Sequence, residues 1–115
     1  SLPKVSIALF YAGATEDILY HLAEENEGIV LVGSGSGNYN ERWKRAIEDL
    51  SKEGIIFVRS SRVQEGIVFD DDIFDPNHYC IPSNTLSGQK ARVLLMLALK
   101  KTKNREQIRQ IFNLY

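Results

Sequence analysis

Three short segments of the chain are almost continuously apolar. They lie at residues 5–10, 29–32 and 55–58 and are rich in β-branched side chains. They lack the alternation of apolar and polar residues that marks a strand with one face in water. The pattern therefore predicts strands covered on both faces, as in a parallel sheet.

Two amphipathic patterns separate these strands and predict helices. The first carries an apolar stripe made of Ile18, Leu19, Leu22 and Ala23. The second places four apolar residues at i, i+3, i+4 and i+7, namely Trp43, Ala46, Ile47 and Leu50. Thr15 is expected to cap the first helix, and Gly54 is expected to end the second. The order β-α-β-α-β implies right-handed crossovers and a parallel sheet.

The pattern weakens between residues 59 and 86, where loop signals accumulate. Short strands are expected at 67–68 and 79–81, the second of them stopped by Pro82. Two helices are expected to close the chain. Ser87 is the predicted cap of the first of these, and Asn104 with Gln107 forms a capping-box-like start for the second.

Length and charge narrow the class of protein. A chain of 115 residues with one cysteine suits a single domain without an intrachain disulfide. The net charge of −1, from 14 basic and 15 acidic residues, argues against a dedicated nucleic-acid binder. No apolar run approaches the roughly 20 residues that span a bilayer. Neither a nucleic-acid partner nor a membrane is therefore expected.

Glycines alternate with serines over residues 33–37, directly after a predicted strand and before a predicted helix. In open α/β sheets, ligands approach the carboxyl ends of strands at such turns, and free backbone N–H groups bind anions. The GxGxG spacing differs from the GxGxxG of a dinucleotide fold. The segment is compatible with an anion or nucleotide contact, and also with a tight turn that holds no ligand, which is the commoner case of the nucleotide and ligand-free interpretations.

Two charged groups follow the third predicted strand. Arg59 and Arg62 flank two serines and could grip a carboxylate or phosphate, although ion pairing is the commoner role of such residues. The acidic run 70–72, with Asp75, lacks the spacing of a calcium-binding EF-hand loop. A solvated loop is the simpler interpretation of that run, and one of its carboxylates could still reach the ammonium group of a ligand.

The residues alone do not predict a complete active site. His78 and Cys80 supply too few ligands for a zinc site. The other histidine, His21, lies on a predicted helix without an evident partner for nucleophilic catalysis. No metal or cofactor is therefore expected.

Three motifs, in this order along the chain, resemble bacterial L-asparaginases of the high-affinity type II class. They are VRSSRV at 58–63 followed by Gly66, QKARVLLMLALKKTK at 89–103, and QIRQIFNLY at 107–115. The segments at 2–5 and 28–38 also fit that family. The resemblance covers essentially the whole chain.

The resemblance implies a fold and an activity. In that family the matching part is the smaller C-terminal domain, a three-layer, flavodoxin-like α/β unit with a small parallel sheet flanked by helices. Residues 1–115 would then be that single domain, with the catalytic residues in an N-terminal domain that these residues do not include. The intact enzyme hydrolyses asparagine to aspartate and ammonia, often with weaker glutaminase activity and without metal or cofactor. The domain by itself is expected to be inactive.

The resemblance also implies two substrate-binding residues that are contributed to the active site of a neighbouring subunit. Ser36 takes the place of a polar residue that is often Asn and sometimes Ser. Asp72 takes the place of a carboxylate, usually Glu, that pairs with the ammonium group of the substrate, and Asp71 is the alternative. Such enzymes are intimate dimers within tetramers. Type II members are periplasmic, whereas related type I enzymes are cytoplasmic. A small-molecule-binding module and an oligomerisation module remain the alternative functions.

Overall fold

The computed structural model describes residues 2–11, 13–33, 41–61, 75 and 77–115. Within these ranges the elements follow the order β1 (Val5–Phe10), α1 (Asp17–Ala23), β2 (Gly28–Gly33), α2 (Glu41–Lys52), β3 (Ile56–Ser61), β4 (Cys80–Pro82), α3 (Gly88–Lys101) and α4 (Arg105–Phe112). The short strand expected at 67–68 lies outside the described residues. The strand expected at 79–81 is present as β4, which lies one residue later than predicted and includes Pro82 as its last residue.

The four described strands form one parallel sheet in the order β1-β2-β3-β4. The helices α1 and α2 join β1, β2 and β3 on one side of the sheet, as right-handed β-α-β crossovers in one direction require. The prediction of an α/β fold with a small parallel sheet is confirmed. The described strands keep to chain order, whereas a flavodoxin-like sheet reverses direction at its switch point.

The sheet separates two apolar layers, and β2 shows why. Ile29 and Leu31 point to the side of α1 and α2, while Val30 and Val32 point to the side of α3 and α4. All six residues of β2 are buried. A strand covered on both faces has no polar side to alternate, which explains the continuous apolar run. The result is a three-layer architecture.

The start of α1 differs from the prediction. The helix begins at Asp17, and the residue before it, Glu16, makes no side-chain capping bond. The first turn is closed by the N–H of Leu19, which donates to the carbonyl of Glu16 at 3.0 Å. The prediction that Thr15 caps this helix is wrong, because the preceding turn fixes where the helix can begin.

The predicted caps of the last two helices are confirmed. The Ser87 hydroxyl accepts a hydrogen bond from the Lys90 N–H at 3.3 Å, and the Asn104 side chain accepts one from the Gln107 N–H at 2.9 Å. These bonds satisfy amide donors that have no partner inside the helix. Both helix starts are therefore determined by residues three positions apart in the chain.

Gly54 ends α2 as predicted. Its φ of +104° lies in the left-handed region, and the following Ile55 N–H donates to the Leu50 carbonyl at 3.1 Å. This six-to-one bond is the signature of a Schellman motif, in which glycine avoids the steric cost that a Cβ would carry. The chain then enters β3 directly.

Candidate functional site

The carboxyl edge of the sheet is where β2 and β3 end next to each other. Gly33 and Ser61, the last residues of these two strands, are register partners. The segments that follow, 34–40 and 62–74, contain Ser36 and Asp72, which lie outside the described residues. The described structure therefore gives the frame of the predicted site. In open α/β sheets, ligands approach the carboxyl ends of the strands.

The turn after β1 borders the same edge, because Phe10 is the register partner of Gly33. In this turn the Ala14 N–H donates to the Tyr11 carbonyl at 2.9 Å. The indole N–H of Trp43, on α2, donates to the Ala14 carbonyl at 3.0 Å. The rings of Phe10 and Trp43 meet edge to face, with centroids 5.0 Å apart. The turn is thus fixed from a second element.

Two buried serines lie at the same carboxyl edge, near the ends of β3 and β4. The Ser60 hydroxyl donates to the Leu86 carbonyl at 3.3 Å, and the Ser83 N–H donates to the Arg59 carbonyl at 3.0 Å. The Ser83 hydroxyl is buried and has no hydrogen-bond partner among the described residues. Arg59 is only 3% exposed and Ser60 only 1%. These two residues of the VRSSRV motif are therefore interior, and Arg62 lies outside the described residues.

Asp75 belongs to the opposite, amino edge of the sheet and has a structural part there. Its carboxylate oxygens accept hydrogen bonds from the N–H groups of Tyr79 at 3.0 Å and Cys80 at 2.8 Å. His78 adopts a φ of 54°, and its carbonyl accepts a bond from Arg109 Nη2 at 2.6 Å. Asp75 therefore has a structural role, because its carboxylate fixes the backbone at the start of β4.

Cys80 is buried in the core and unsuited to chemistry. Desolvation by burial raises the pKa of its thiol, and the nearby negative charge of Asp75 raises it further. The positive charge of Arg59 opposes this shift without cancelling it. The thiol is protonated at neutral pH, whereas a nucleophile or metal ligand must be a thiolate. Among the described residues, no group of three His, Cys, Asp or Glu side chains is close enough to hold a metal ion.

A shallow cavity of about 280 Å³ opens at the amino end of β1. Its lining includes Val5, Asn26, Arg92 and Met96. This is the opposite end of the strand from the predicted site. The cavity therefore does not belong to the carboxyl edge.

Comparison with known proteins identifies the family. A model of the glutaminase/asparaginase C-terminal domain matches residues 4–112. The chain belongs to this family. The resemblance drawn from the three sequence motifs is confirmed.

The relatives that the chain resembles are named as asparaginases. The chain is 42% identical to L-asparaginase 2 of Escherichia coli strain K12, over 99% of this chain and 33% of the relative. It is 42% identical to a probable periplasmic L-asparaginase of Haemophilus influenzae, over 97% of this chain and 33% of the relative. A glutaminase-asparaginase of Pseudomonas fluorescens biotype A is 30% identical, over 97% and 32%. The chain spans about a third of the length of these relatives.

Two contacts, one at each edge of the sheet, go beyond what the sequence predicts. Trp43 was expected only as part of an apolar stripe, yet its N–H also fixes the turn after β1. Asp75 was grouped with the acidic loop, yet it binds two backbone amides of β4. An indole on a buried helix face and an aspartate before a strand are weak signals for such contacts.

Within the described ranges, no helix is long and apolar enough to cross a bilayer.

Proposed function

We propose that this chain is the C-terminal domain of an L-asparaginase that hydrolyses L-asparagine to L-aspartate and ammonia. The observation that carries the proposal is the family match over residues 4–112 together with 42% identity to two relatives named as L-asparaginases. The domain by itself is inactive, and the catalytic residues belong to a preceding domain. Its buried, protonated Cys80 supports this division, since the only thiol of the chain cannot act as a nucleophile.

The domain completes an active site by binding the substrate. A zwitterionic amino acid brings an ammonium group that must be paired when it leaves water, because an unpaired charge in a dry site is costly. Asp72, with Asp71 as the alternative, supplies the carboxylate for this ammonium group. Ser36 contributes a hydroxyl that helps to select the side-chain amide. The adjacency of Gly33 and Ser61 supports the pairing of these roles, because both segments leave the sheet from neighbouring strand ends.

The site is completed between subunits of a homo-oligomer, an intimate dimer within a tetramer. Apolar side chains that a partner would cover support this part of the proposal. About half of each side chain is exposed at Leu9 on β1 and at Val93 and Leu97 on α3. Val93 and Leu97 are four residues apart and share one face of α3, and a contiguous apolar surface is typical of an interface. Supplying Ser36 and Asp72 to a neighbouring subunit makes activity depend on assembly.

The names of two relatives support proposals for the compartment and for a side activity. One of them is named as a probable periplasmic enzyme, which favours the periplasm over the cytoplasm for this protein. Another is named a glutaminase-asparaginase, so glutamine is proposed as a second substrate.

The test is ammonia release from asparagine by residues 1–115 and by the chain extended upstream to its natural start. Turnover by the longer chain and none by residues 1–115 are expected. Turnover by residues 1–115 would refute the placement of the catalytic residues. If the longer chain were folded and silent with both asparagine and glutamine, the alternative of a binding or oligomerisation module would replace this proposal.

A further inference from the structure

The cavity at the amino end of β1 forms where three parts of the chain meet. The residues that lead into β1, the connection from α1 to β2, and α3 contribute Lys4, Glu25 and Arg92 to its lining. Its volume of about 280 Å³ lies just below the roughly 300–1,000 Å³ of pockets that hold drug-sized ligands. A small molecule is therefore the class of ligand that fits this cavity.

Arg92 is held at this cavity by one of its donors. β1 is an edge strand of the described sheet, and the Lys4 carbonyl faces β2 because it accepts from the Glu27 N–H at 2.9 Å. Carbonyl directions alternate along a strand, so the next carbonyl, that of Val5, faces away from β2. Arg92 Nε donates to this outward carbonyl at 2.7 Å, which fixes the guanidinium at the edge of the sheet.

Three charged groups of the lining have no ionic partner in the part of the chain that the structure describes. A guanidinium has five N–H donors, and the bond to Val5 uses only the one on Nε of Arg92, so four remain. The ammonium group of Lys4 and the carboxylate of Glu25 belong to exposed side chains and make no described ion pair. All three charges are thus available to a ligand.

The signs of these charges indicate the chemistry of the ligand. Arg92 and Lys4 each contribute one positive charge and Glu25 contributes one negative charge, so the three groups sum to +1. A molecule with two carboxylates and one ammonium group offers an opposite charge to each of them. We propose that the cavity binds a free dicarboxylic amino acid such as aspartate. The guanidinium fork of Arg92 holds one carboxylate, Lys4 holds the other, and Glu25 pairs with the ammonium group.

The wall beside these groups is already fixed by the protein. The Asn26 side-chain amide donates to the Leu22 carbonyl at 2.8 Å, and its oxygen accepts from the Ser6 hydroxyl at 3.0 Å. The cavity lies at the opposite end of β1 from the predicted active site, so this inference does not depend on the proposed function. If that function holds, aspartate is the product, and the cavity binds it away from the site that forms it.

Met96 supplies a reporter for this site, because it lines the cavity and is the only methionine among the 115 residues. The experiment labels the methionine methyl groups of the full-length protein with ¹³C and identifies the Met96 signal by its loss in Met96→Leu. Aspartate and succinate are titrated separately, with sodium chloride of equal ionic strength as the reference. Succinate has both carboxylates and lacks the ammonium group.

The Met96 signal is expected to shift with aspartate and to saturate with a Kd of about 1 mM. Arg92→Gln should raise this Kd at least about tenfold, because a charged pair of donors is lost, and Lys4→Gln about threefold. In Glu25→Gln, the tighter binding of aspartate than of succinate should disappear. Lys101→Gln is the matched control, because it removes an exposed cation from the last turn of the same helix, and it should leave the Kd unchanged.

Two results would refute the site. One is a folded wild type whose Met96 signal moves no further with aspartate than with sodium chloride, or moves equally in Arg92→Gln, Lys4→Gln and Glu25→Gln. The other is a response in residues 1–115 and none in the full-length protein, which would mean that the rest of the polypeptide fills the cavity.

Ammonia release from asparagine, measured on the same full-length samples, tests the proposed function separately. Turnover without a Met96 response refutes only the aspartate site. A Met96 response that depends on Arg92, in a folded protein without turnover, supports the site and refutes only the proposed function.

Discussion

The two edges of the sheet are built differently. At the amino edge, charged side chains bond to backbone groups of the same chain, as Asp75 does to Tyr79 and Cys80 and as Arg109 does to the His78 carbonyl. At the carboxyl edge, the turn after β1 is held by neutral contacts, and the Ser83 hydroxyl is buried without a partner among the described residues. Amino-edge residues are therefore expected to act on stability, and carboxyl-edge residues on substrate binding.

Glu27 is an example of how contacts between distant residues hold the amino edge together. Its N–H donates to the Lys4 carbonyl at 2.9 Å, and its carbonyl accepts from the Ile56 N–H at 3.1 Å. Its carboxylate pairs with Lys103 from the connection between α3 and α4. One residue thus joins three parts of the chain. Substitutions at the two edges test whether stability and binding are separated in this way.

The largest effect is expected for Asp72→Ala in the full-length enzyme. Removing the partner of a buried ammonium group costs about 2–5 kcal/mol of binding free energy, so the KM for asparagine should rise at least about thirtyfold. The melting temperature should change little. Steady-state kinetics and thermal unfolding measure the two quantities.

The matched control for that experiment is Asp71→Ala, which removes the same charge one residue away. A rise in KM for Asp71→Ala and not for Asp72→Ala would transfer the ammonium contact to Asp71. Unchanged constants in both variants would refute an ammonium partner in this run.

The second effect concerns Arg109→Gln at the amino edge. The substitution removes a hydrogen bond from a charged group to the His78 carbonyl, two residues before β4, and such a bond is worth about 1.5–3 kcal/mol. The free energy of unfolding should fall by about 2 kcal/mol, with KM for asparagine unchanged. Arg45→Gln, on the exposed face of α2, is the control and should stay within about 0.5 kcal/mol of the wild type. A raised KM in Arg109→Gln would contradict the assignment of stability to the amino edge and of substrate binding to the carboxyl edge.

The third effect is the pH dependence contributed by Cys80. Burial raises the pKa of this thiol in the folded state above its value in the unfolded chain. Above the unfolded pKa of about 8.5, the unfolded chain releases a proton that the folded chain retains, so stability falls as pH rises. The fall approaches about 1.4 kcal/mol per pH unit and is absent in Cys80→Ala.

Urea unfolding of wild type and Cys80→Ala at pH 7, 9 and 10 measures this contribution. The stability difference between the two proteins should be constant below pH 8 and shrink above it. A difference that stays the same up to pH 10 would contradict a raised thiol pKa.

The smallest effect is expected for Lys103→Ala. The pair with Glu27 is exposed, with 63% of the lysine side chain and 46% of the glutamate side chain accessible. Such pairs contribute about 0–1 kcal/mol and are screened by salt. The loss in unfolding free energy should vanish in about 1 M NaCl. A loss above about 2 kcal/mol that persists in salt would make this contact a structural one like that of Arg109.

The sequence predicts best where structure depends on near neighbours. The face of α2 follows from the spacing of Trp43 and Leu50, and the start of α4 follows from Asn104 three residues before Gln107. The start of α1 was misplaced at Thr15 because the turn before it is set by Trp43, 29 residues away from Ala14. Local propensity carries no information about such a contact.

The site frame was harder to predict for the same reason. Arg59 follows the apolar run that ends at Val58, so it was expected in a loop, yet β3 continues to Ser61 and takes Arg59 inside. The continuation depends on pairing with β4, which begins at Cys80 and aligns Pro82 with Arg59. The residues that carry the proposed binding, Ser36 and Asp72, came from family resemblance, because chemical pattern by itself left several interpretations of their segments open.

The position of α3 has a consequence for the protein during its synthesis. This helix packs on β1, β2 and β3, and Arg92 Nε donates to the Val5 carbonyl at 2.7 Å across 87 positions of the chain. The first three strands leave the ribosome well before it. The side of these strands that packs against α3, which includes Val30 and Val58, stays exposed to solvent until residue 101 has left the ribosome. A nascent chain stalled before that point presents an exposed apolar surface of the kind that chaperones bind, so burial of this side of the sheet has to wait for α3.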